Sequence, residues 1–86
     1  MKELEKQLKA LANQRRLKII KILKTKHALS VGEVALEIKL SFKATSKHLI
    51  ILHRANFIER NQQSLVVYYQ ISKTSNPLLQ TIFTIL

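Results

Sequence analysis

Eighty-six residues suffice for one domain with one modest core, and a core of that size is often supplemented by oligomerisation. The chain has no cysteine and no aspartate, which excludes a disulfide framework, thiolate metal sites and cysteine nucleophiles. Fifteen Lys and Arg stand against five Glu, for a formal charge of +10, and an excess of that size in a small chain calls for a polyanion: nucleic acid or an anionic membrane surface.

Residues 2–12 read as a first helix, with Leu4, Leu8 and Leu11 at helical spacing and Glu5 four residues ahead of Lys9. The N-terminus therefore opens on a charged amphipathic pattern and not on a secretory leader. Asn13 offers a helix start, and residues 14–25 form a second helix with Leu17, Ile20 and Leu23 on one stripe. Lys18, Lys21 and Lys24 fall on its opposite side. Arg15 and Arg16 sit in its first turn, where the helix dipole disfavours cations, so another role is expected of them.

His27 to Ser30 is a short, extended connection. Ser30 and Glu33 match the S-x-x-E capping box, in which each side chain satisfies a backbone N–H of the other residue. A short third helix follows over about residues 31–38, with Val34, Ala35 and Ile38 inward. Lys39-Leu40-Ser41 is a three-residue turn, and Ser41 is a good N-cap for a fourth helix that ends near Ala55. On that helix Phe42, Thr45, His48, Leu49, Leu52 and Ala55 fall on one side. Lys43, Ser46, Lys47, Ile50 and Arg54 fall on the other. Asn56 ends the helix, since Asn tolerates the left-handed conformation of a helix stop.

After Asn56 the apolar period shortens. Phe57 to Arg60 and Leu65 to Ser72 read as two strands, with Asn61-Gln62-Gln63-Ser64 as a polar tip. Val66, Val67, Tyr68 and Tyr69 are strong strand formers, and one tyrosine is expected in the core. Asn76-Pro77 starts a last helix with Pro at its first position. Its apolar residues, from Leu78 to Leu86, cover every face. Such a helix must be buried on all sides, and a domain this small cannot surround it, so a second copy of the chain is the expected cover. The same segment is about half the length needed to span a bilayer.

The resulting order is helix, helix, short strand, helix, helix, strand, strand, helix. It is mainly α with a small β-hairpin wing, the pattern of a winged helix–turn–helix domain. One such domain over residues 1–86 is expected, with the last helix (about 77–86) serving dimerisation through Leu78, Leu79, Ile82, Phe83 and Leu86. The recognition helix would contact DNA through Ser41, Phe42, Lys43, Ala44, Ser46, Lys47 and Ile50. Arg54, Arg60, Asn61, Gln62 and Gln63 would supply backbone and wing contacts.

Three stretches carry a family resemblance: LKALANQRRLKIIKIL (Leu8 to Leu23), LSFKATSKHLIILHRANFIE (Leu40 to Glu59) and SLVVYYQIS (Ser64 to Ser72). Together they resemble the ArsR/SmtB-type winged helix–turn–helix regulators, and Ser46-Lys47-His48-Leu49 is the most specific part. The resemblance implies that the helix beginning at Ser41 enters the major groove and that the terminal helices (about 2–12 and 77–86) form a dimer, which adds Leu4 and Leu8 to the interface. It also implies repression by promoter occupancy at an inverted repeat, and places Arg15 and Arg16 near the DNA backbone or the dimer core. Family members that sense arsenic or cadmium carry cysteines at positions matching Ser30 and Gly32. Zinc-sensing members carry acidic and His pairs on the last helix, where Asn76 to Leu86 has none. Neither family metal site is therefore expected, and no cofactor. Leu65 and Gln70 stand where the family commonly has Arg.

The leading expectation is a cytoplasmic, dimeric DNA-binding regulator and not an enzyme, since no phosphate-cradling Gly loop and no His with a carboxylate nearby in sequence is present. A nonspecific architectural DNA-binding protein, which keeps the charge, and a winged-helix adaptor for another protein, which keeps the apolar last helix, are the alternatives.

Overall fold

The computed structural model describes residues 1–73 and 76–86. Five helices and a three-stranded sheet follow in the expected order: α1 (Lys2–Leu11), α2 (Gln14–Lys26), β1 (Leu29–Ser30), α3 (Val31–Ile38), α4 (Phe42–Arg54), β2 (Ile58–Gln63), β3 (Val66–Ile71) and α5 (Pro77–Ile85).

Local chemistry sets these boundaries. Asn13 Oδ1 accepts from the N–H groups of Arg15 and Arg16 at 2.9 and 3.1 Å, capping α2. Ser30 N donates to Glu33 Oε1 (2.8 Å) and Glu33 N to Ser30 Oγ (3.2 Å), so the capping box is complete. Ser41 Oγ accepts from Ala44 N at 3.1 Å, and Asn76 Oδ1 from Leu78 N at 2.9 Å. Each cap satisfies N–H groups that a helix start otherwise leaves without partners.

The helix ends are equally specific. Lys39 takes φ 55° and ψ 50°, and Leu40 N then reaches back to the Ala35 carbonyl at 3.1 Å. Asn56 repeats the device at the end of α4, with φ 66° and Phe57 N on the Leu52 carbonyl at 3.1 Å. Both are left-handed stops that return the chain sharply toward the core. The first sets the entry of α4 and the second aims the chain into β2.

The sheet is antiparallel with strand order β1-β3-β2. Leu29 pairs with Tyr69, and β2 runs beside β3 from Ile58 with Ile71 to Gln63 with Val66. The last pair leaves only Ser64 and Leu65 for the turn. The expected four-residue tip is therefore corrected. Asn61, Gln62 and Gln63 are paired strand residues, and Ser64 supplies the positive φ, 58°, that a two-residue hairpin turn needs at its first position. A run of polar residues disguised a strand whose two faces are both exposed at this end.

The core joins α1, α2, α3, α4, the sheet and α5. Ile19, Ile20, Leu23, Val34, Leu49, Leu52 and Phe57 are its fully enclosed centre. Tyr69 is the buried tyrosine, edge-on to His53 with ring centroids 6.3 Å apart, while Tyr68 is half-exposed. Leu79 is only 2% exposed and belongs to this same core. Its expected place in a dimer interface is corrected accordingly: its own chain already covers it.

Thr45 is the one buried polar residue among the described residues, and its hydroxyl has no hydrogen-bond partner there. A buried hydroxyl without a partner carries its desolvation penalty uncompensated. Thr45→Val keeps the branched shape and removes the oxygen. It is expected to raise stability by about 1 kcal/mol, read as an increase in Tm of about 4–8 °C. A lower Tm for the valine variant would mean that the hydroxyl is held by a group other than those described.

Candidate nucleic-acid interface

The inner side of α4 is fixed by Thr45, Leu49 and Leu52, all fully buried. At 100° per residue, the direction opposite to them is occupied by Lys43, Lys47, Ile50 and Arg54. All four are exposed. The helix carries no carboxylate. Among the described residues the ion pairs are Lys9 with Glu5 and Lys26 with Glu37, so Lys43, Lys47, Arg54 and Arg60 keep their charge available. This is a convex helix face with unpaired cations, of a width that a B-DNA major groove admits.

Not every expected contact residue lies on that face. Ser41 is exposed but its hydroxyl is engaged as the N-cap. Ala44 is half-buried on the flank turned away from the hairpin, and its contribution is its capped N–H. Ser46 is half-buried on the flank facing the hairpin. Phe42, which falls on the Thr45 side by helical spacing and was expected among the contact residues, is 63% exposed. It stands at the first helical position, beyond the edge of the core that Thr45 and Leu49 seal.

The hairpin lies beside α4 and extends the face. Arg60, Asn61, Gln62 and Gln63 are all exposed along β2. Between the two elements runs a cleft of about 670 Å³, lined by Phe42, Ser46 and Ile50 from the helix and by Leu65, Val66 and Arg60 from the hairpin. Leu65 and Val66 were not legible as site residues, because an apolar residue in a turn carries no chemical signal until the turn is placed.

Arg16 is held within its own chain. Its guanidinium closes the C-terminal end of α1, donating from Nε to the Ala10 carbonyl (2.6 Å) and from Nη2 to the Lys9 carbonyl (3.2 Å). Nη1 lies 3.2 Å from His48 Nδ1. Because Arg only donates, Nδ1 must accept, and the His48 imidazole is neutral in this arrangement. This link ties the end of α1 to the recognition helix. Burial, with the charges of Arg16 and Arg15 adding to it, holds His48 below its ordinary value of 6.5.

A depressed histidine destabilises the fold in acid. Above pH 6.5 the imidazole is neutral in both folded and unfolded chains and costs nothing. As pH falls below 6.5 the unfolded chain takes up the proton first, so stability drops down to the folded-state value. We expect Tm to fall between pH 7 and pH 5 more steeply for the parent than for His48→Gln. Parallel pH profiles would remove His48 from the account.

Among the described residues no group of three or more His, Asp or Glu lies close enough together to hold a metal ion. The positions where the resemblance put sensing cysteines do not fit a metal. The Ser30 hydroxyl accepts from Glu33 N, and Gly32 has no side chain. No helix among the described residues is long and apolar enough to cross a membrane.

Comparison with known proteins agrees with this geometry. Residues 13–60 match the model of the family described as bacterial regulatory protein, arsR family. The curated relative HlyU of Vibrio cholerae serotype O1, named a transcriptional activator, is 40% identical over 67 residues, which is 78% of this chain. The match spans 61% of the length of that relative. The solved structure of HlyU from Vibrio cholerae N16961 superposes with a TM-score of 0.82 at 34% identity, covering 96% of this chain and 87% of the other. The transcriptional repressor PagR of Bacillus anthracis gives 0.78 at 32% identity, covering 98% and 92%. A homodimeric winged helix-turn-helix DNA-binding domain from Mycobacterium bovis shares the fold, with a TM-score of 0.82 at 24% identity over 98% of this chain and 74% of that one.

Proposed function

The chain belongs to the ArsR family of bacterial regulatory proteins, and from that premise we propose that it binds double-stranded DNA as a homodimer and represses transcription by occupying an inverted-repeat operator. The observation that carries this is the outward face of α4, where Lys43, Lys47 and Arg54 stand exposed and without ion pairs beside the hairpin. A helix of this kind lies in the major groove, its cations meet phosphates, and the hairpin reaches the flanking backbone through Arg60, Asn61, Gln62 and Gln63. The location that goes with this function is the cytoplasm.

Exposed apolar residues at the two ends of the chain support the dimer. Leu4 and Leu8 on α1, and Ile85 and Leu86 at the end of α5, are exposed. Leu78, Ile82 and Phe83 are only partly covered by the chain's own core. A second copy laid on α1 and α5 removes that surface from water, which is the favourable term in association. Two-fold symmetry then places two copies of α4 about one helical turn apart, ~34 Å. If the dimer neutralises about six phosphates, log K falls with log salt at a slope near −5.

Repression is the direction we infer, by blocking access to the occupied promoter. PagR is named a repressor and HlyU an activator, so a promoter–reporter fusion with and without the protein decides the sign. The binding itself is tested by selecting duplexes from a random pool at physiological salt and weighing the complex. An enriched inverted repeat carrying two chains is the expected result. Equal retention of unrelated duplexes would make this a nonspecific architectural protein, and no retention would favour an adaptor for another protein.

A further inference from the structure

The face proposed to meet DNA is unusual in what it lacks. The first two turns of α4, Phe42 to His48, hold no Arg, Asn or Gln. With Lys, those are the side chains that most often recognise guanine or adenine through hydrogen bonds. Lys43 and Lys47 are flexible point charges, poorly suited to fixing a base by geometry. The Ser41 hydroxyl is committed to Ala44 N, and His48 is turned to Arg16. Ser46 is the one remaining hydroxyl on the exposed flank of these turns, since Thr45 is buried. Hydrogen-bond readout from these two turns therefore falls to Lys43, Lys47 and Ser46, none of which offers a rigid, planar pair of groups.

What the face and the cleft beside it present instead is hydrocarbon. Phe42 is 63% exposed and Ile50 38%. Leu65, 94% exposed, and Val66 line the same cleft from the hairpin. Single exposed apolar residues are ordinary on a protein surface. Several that converge on one cleft, with Arg54 and Arg60 at its margins, mark a contact surface. The surrounding charge chooses the partner: unpaired cations with no carboxylate on the helix select a polyanion that also carries apolar groups. In duplex DNA the apolar group in the major groove is the 5-methyl of thymine.

We infer that Phe42 and Ile50 read thymine methyl groups, so that apolar contact is a main source of this protein's site selection and thymine-bearing steps under α4 are preferred. The inference rests on the DNA-binding reading above. Lys43, Lys47 and Arg54 hold the phosphates and fix the register. Phe42, at the first helical position, covers a methyl at the hairpin side of the helix, and Ile50, two turns on, covers one further along the groove.

The test replaces thymine by deoxyuridine in a selected duplex, one position at a time. This removes only the methyl and leaves base pairing and every hydrogen-bonding edge unchanged. Burial of one methyl corresponds to about a fourfold change in affinity. At two or more positions per half-site the parent protein is expected to bind the uracil duplex about fourfold more weakly, while Phe42→Ala and Ile50→Ala each lose the discrimination at one of those positions. Both residues are exposed, and a matched substitution of the exposed Leu36 on α3, outside the cleft, is expected to keep the full thymine preference.

Equal affinity of the parent for thymine and uracil duplexes at every position would overturn the inference and leave DNA binding standing, with the cleft open to another apolar partner. Failure to bind any duplex would overturn the DNA-binding reading and this inference with it.

Discussion

Phe57→Ala is expected to lower stability by about 3–5 kcal/mol, the range for emptying a buried aromatic site. A domain of this size has a total stability of the order of 5–10 kcal/mol, so the variant is close to unfolding at physiological temperature. The reason lies in where Phe57 sits. It follows the left-handed stop at Asn56, its N–H closes the end of α4 on the Leu52 carbonyl, and its own carbonyl accepts from Ser72 N at 3.0 Å. Its ring is fully buried among the residues that join α4 to the sheet. Losing the ring thus removes the packing that sets the angle between recognition helix and hairpin. The expected Tm decrease is at least about 12 °C, taking about 4 °C per kcal/mol as the lower bound for a domain of this size. A decrease of only a few degrees would show that α4 and the hairpin are held by other contacts.

The second large effect concerns DNA. Replacing Lys43 and Lys47 by Ala removes two exposed, unpaired cations from each protomer without touching the core. If each contacts one phosphate in a dimer, four phosphate contacts are lost and the salt slope becomes shallower by about 3.6. At ~150 mM salt that corresponds to about a thousandfold loss of affinity. Because phosphate contacts carry no sequence information, all duplexes are expected to weaken alike. Lys18→Ala with Lys21→Ala on α2 is the charge-matched control: both are exposed, and they line a groove with Leu86 away from the hairpin. An equal loss in the control would mean that bulk charge, and not the α4 face, drives binding.

Much of this architecture was legible in the residues because local chemistry decides it. Asn13, Ser30 with Glu33, Ser41, Asn56 and Asn76-Pro77 each mark an end of a helix through a specific backbone hydrogen bond or a dihedral preference. Every one of them acts at the expected place. The short β1 was legible as an extended segment, but its pairing with Tyr68 and Tyr69, far away in sequence, was not.

Where the reading differed, a non-local fact decided. Asn61, Gln62 and Gln63 have low strand preference but are held in β2 by register with β3, beginning from Ile58. Phe42 shares the Thr45 side by helical spacing, yet at the first position of α4 it is left exposed. Leu79 looked like interface because apolar residues fall on every face of α5, and only the packed chain separates the residue it buries from those it leaves half-open. The bond of Arg16 to the end of α1 was not legible, because it depends on the C-terminal carbonyls of α1 lying within reach of its guanidinium. At the candidate site the cations were legible as a face of one helix. The apolar cleft beside them was not, as it exists only once helix and hairpin are placed together.

The most direct measurement is a residue-resolved NMR titration of the protein with a selected duplex, following backbone amides and the methyl groups of Ile and Leu. The account predicts that the shifts concentrate on Ser41 to Arg54, on the Ile50 methyls and on Arg60 to Val66, with α1 and α5 nearly unmoved. Shifts concentrated on α1 and α5, with the outward face of α4 silent, would contradict it.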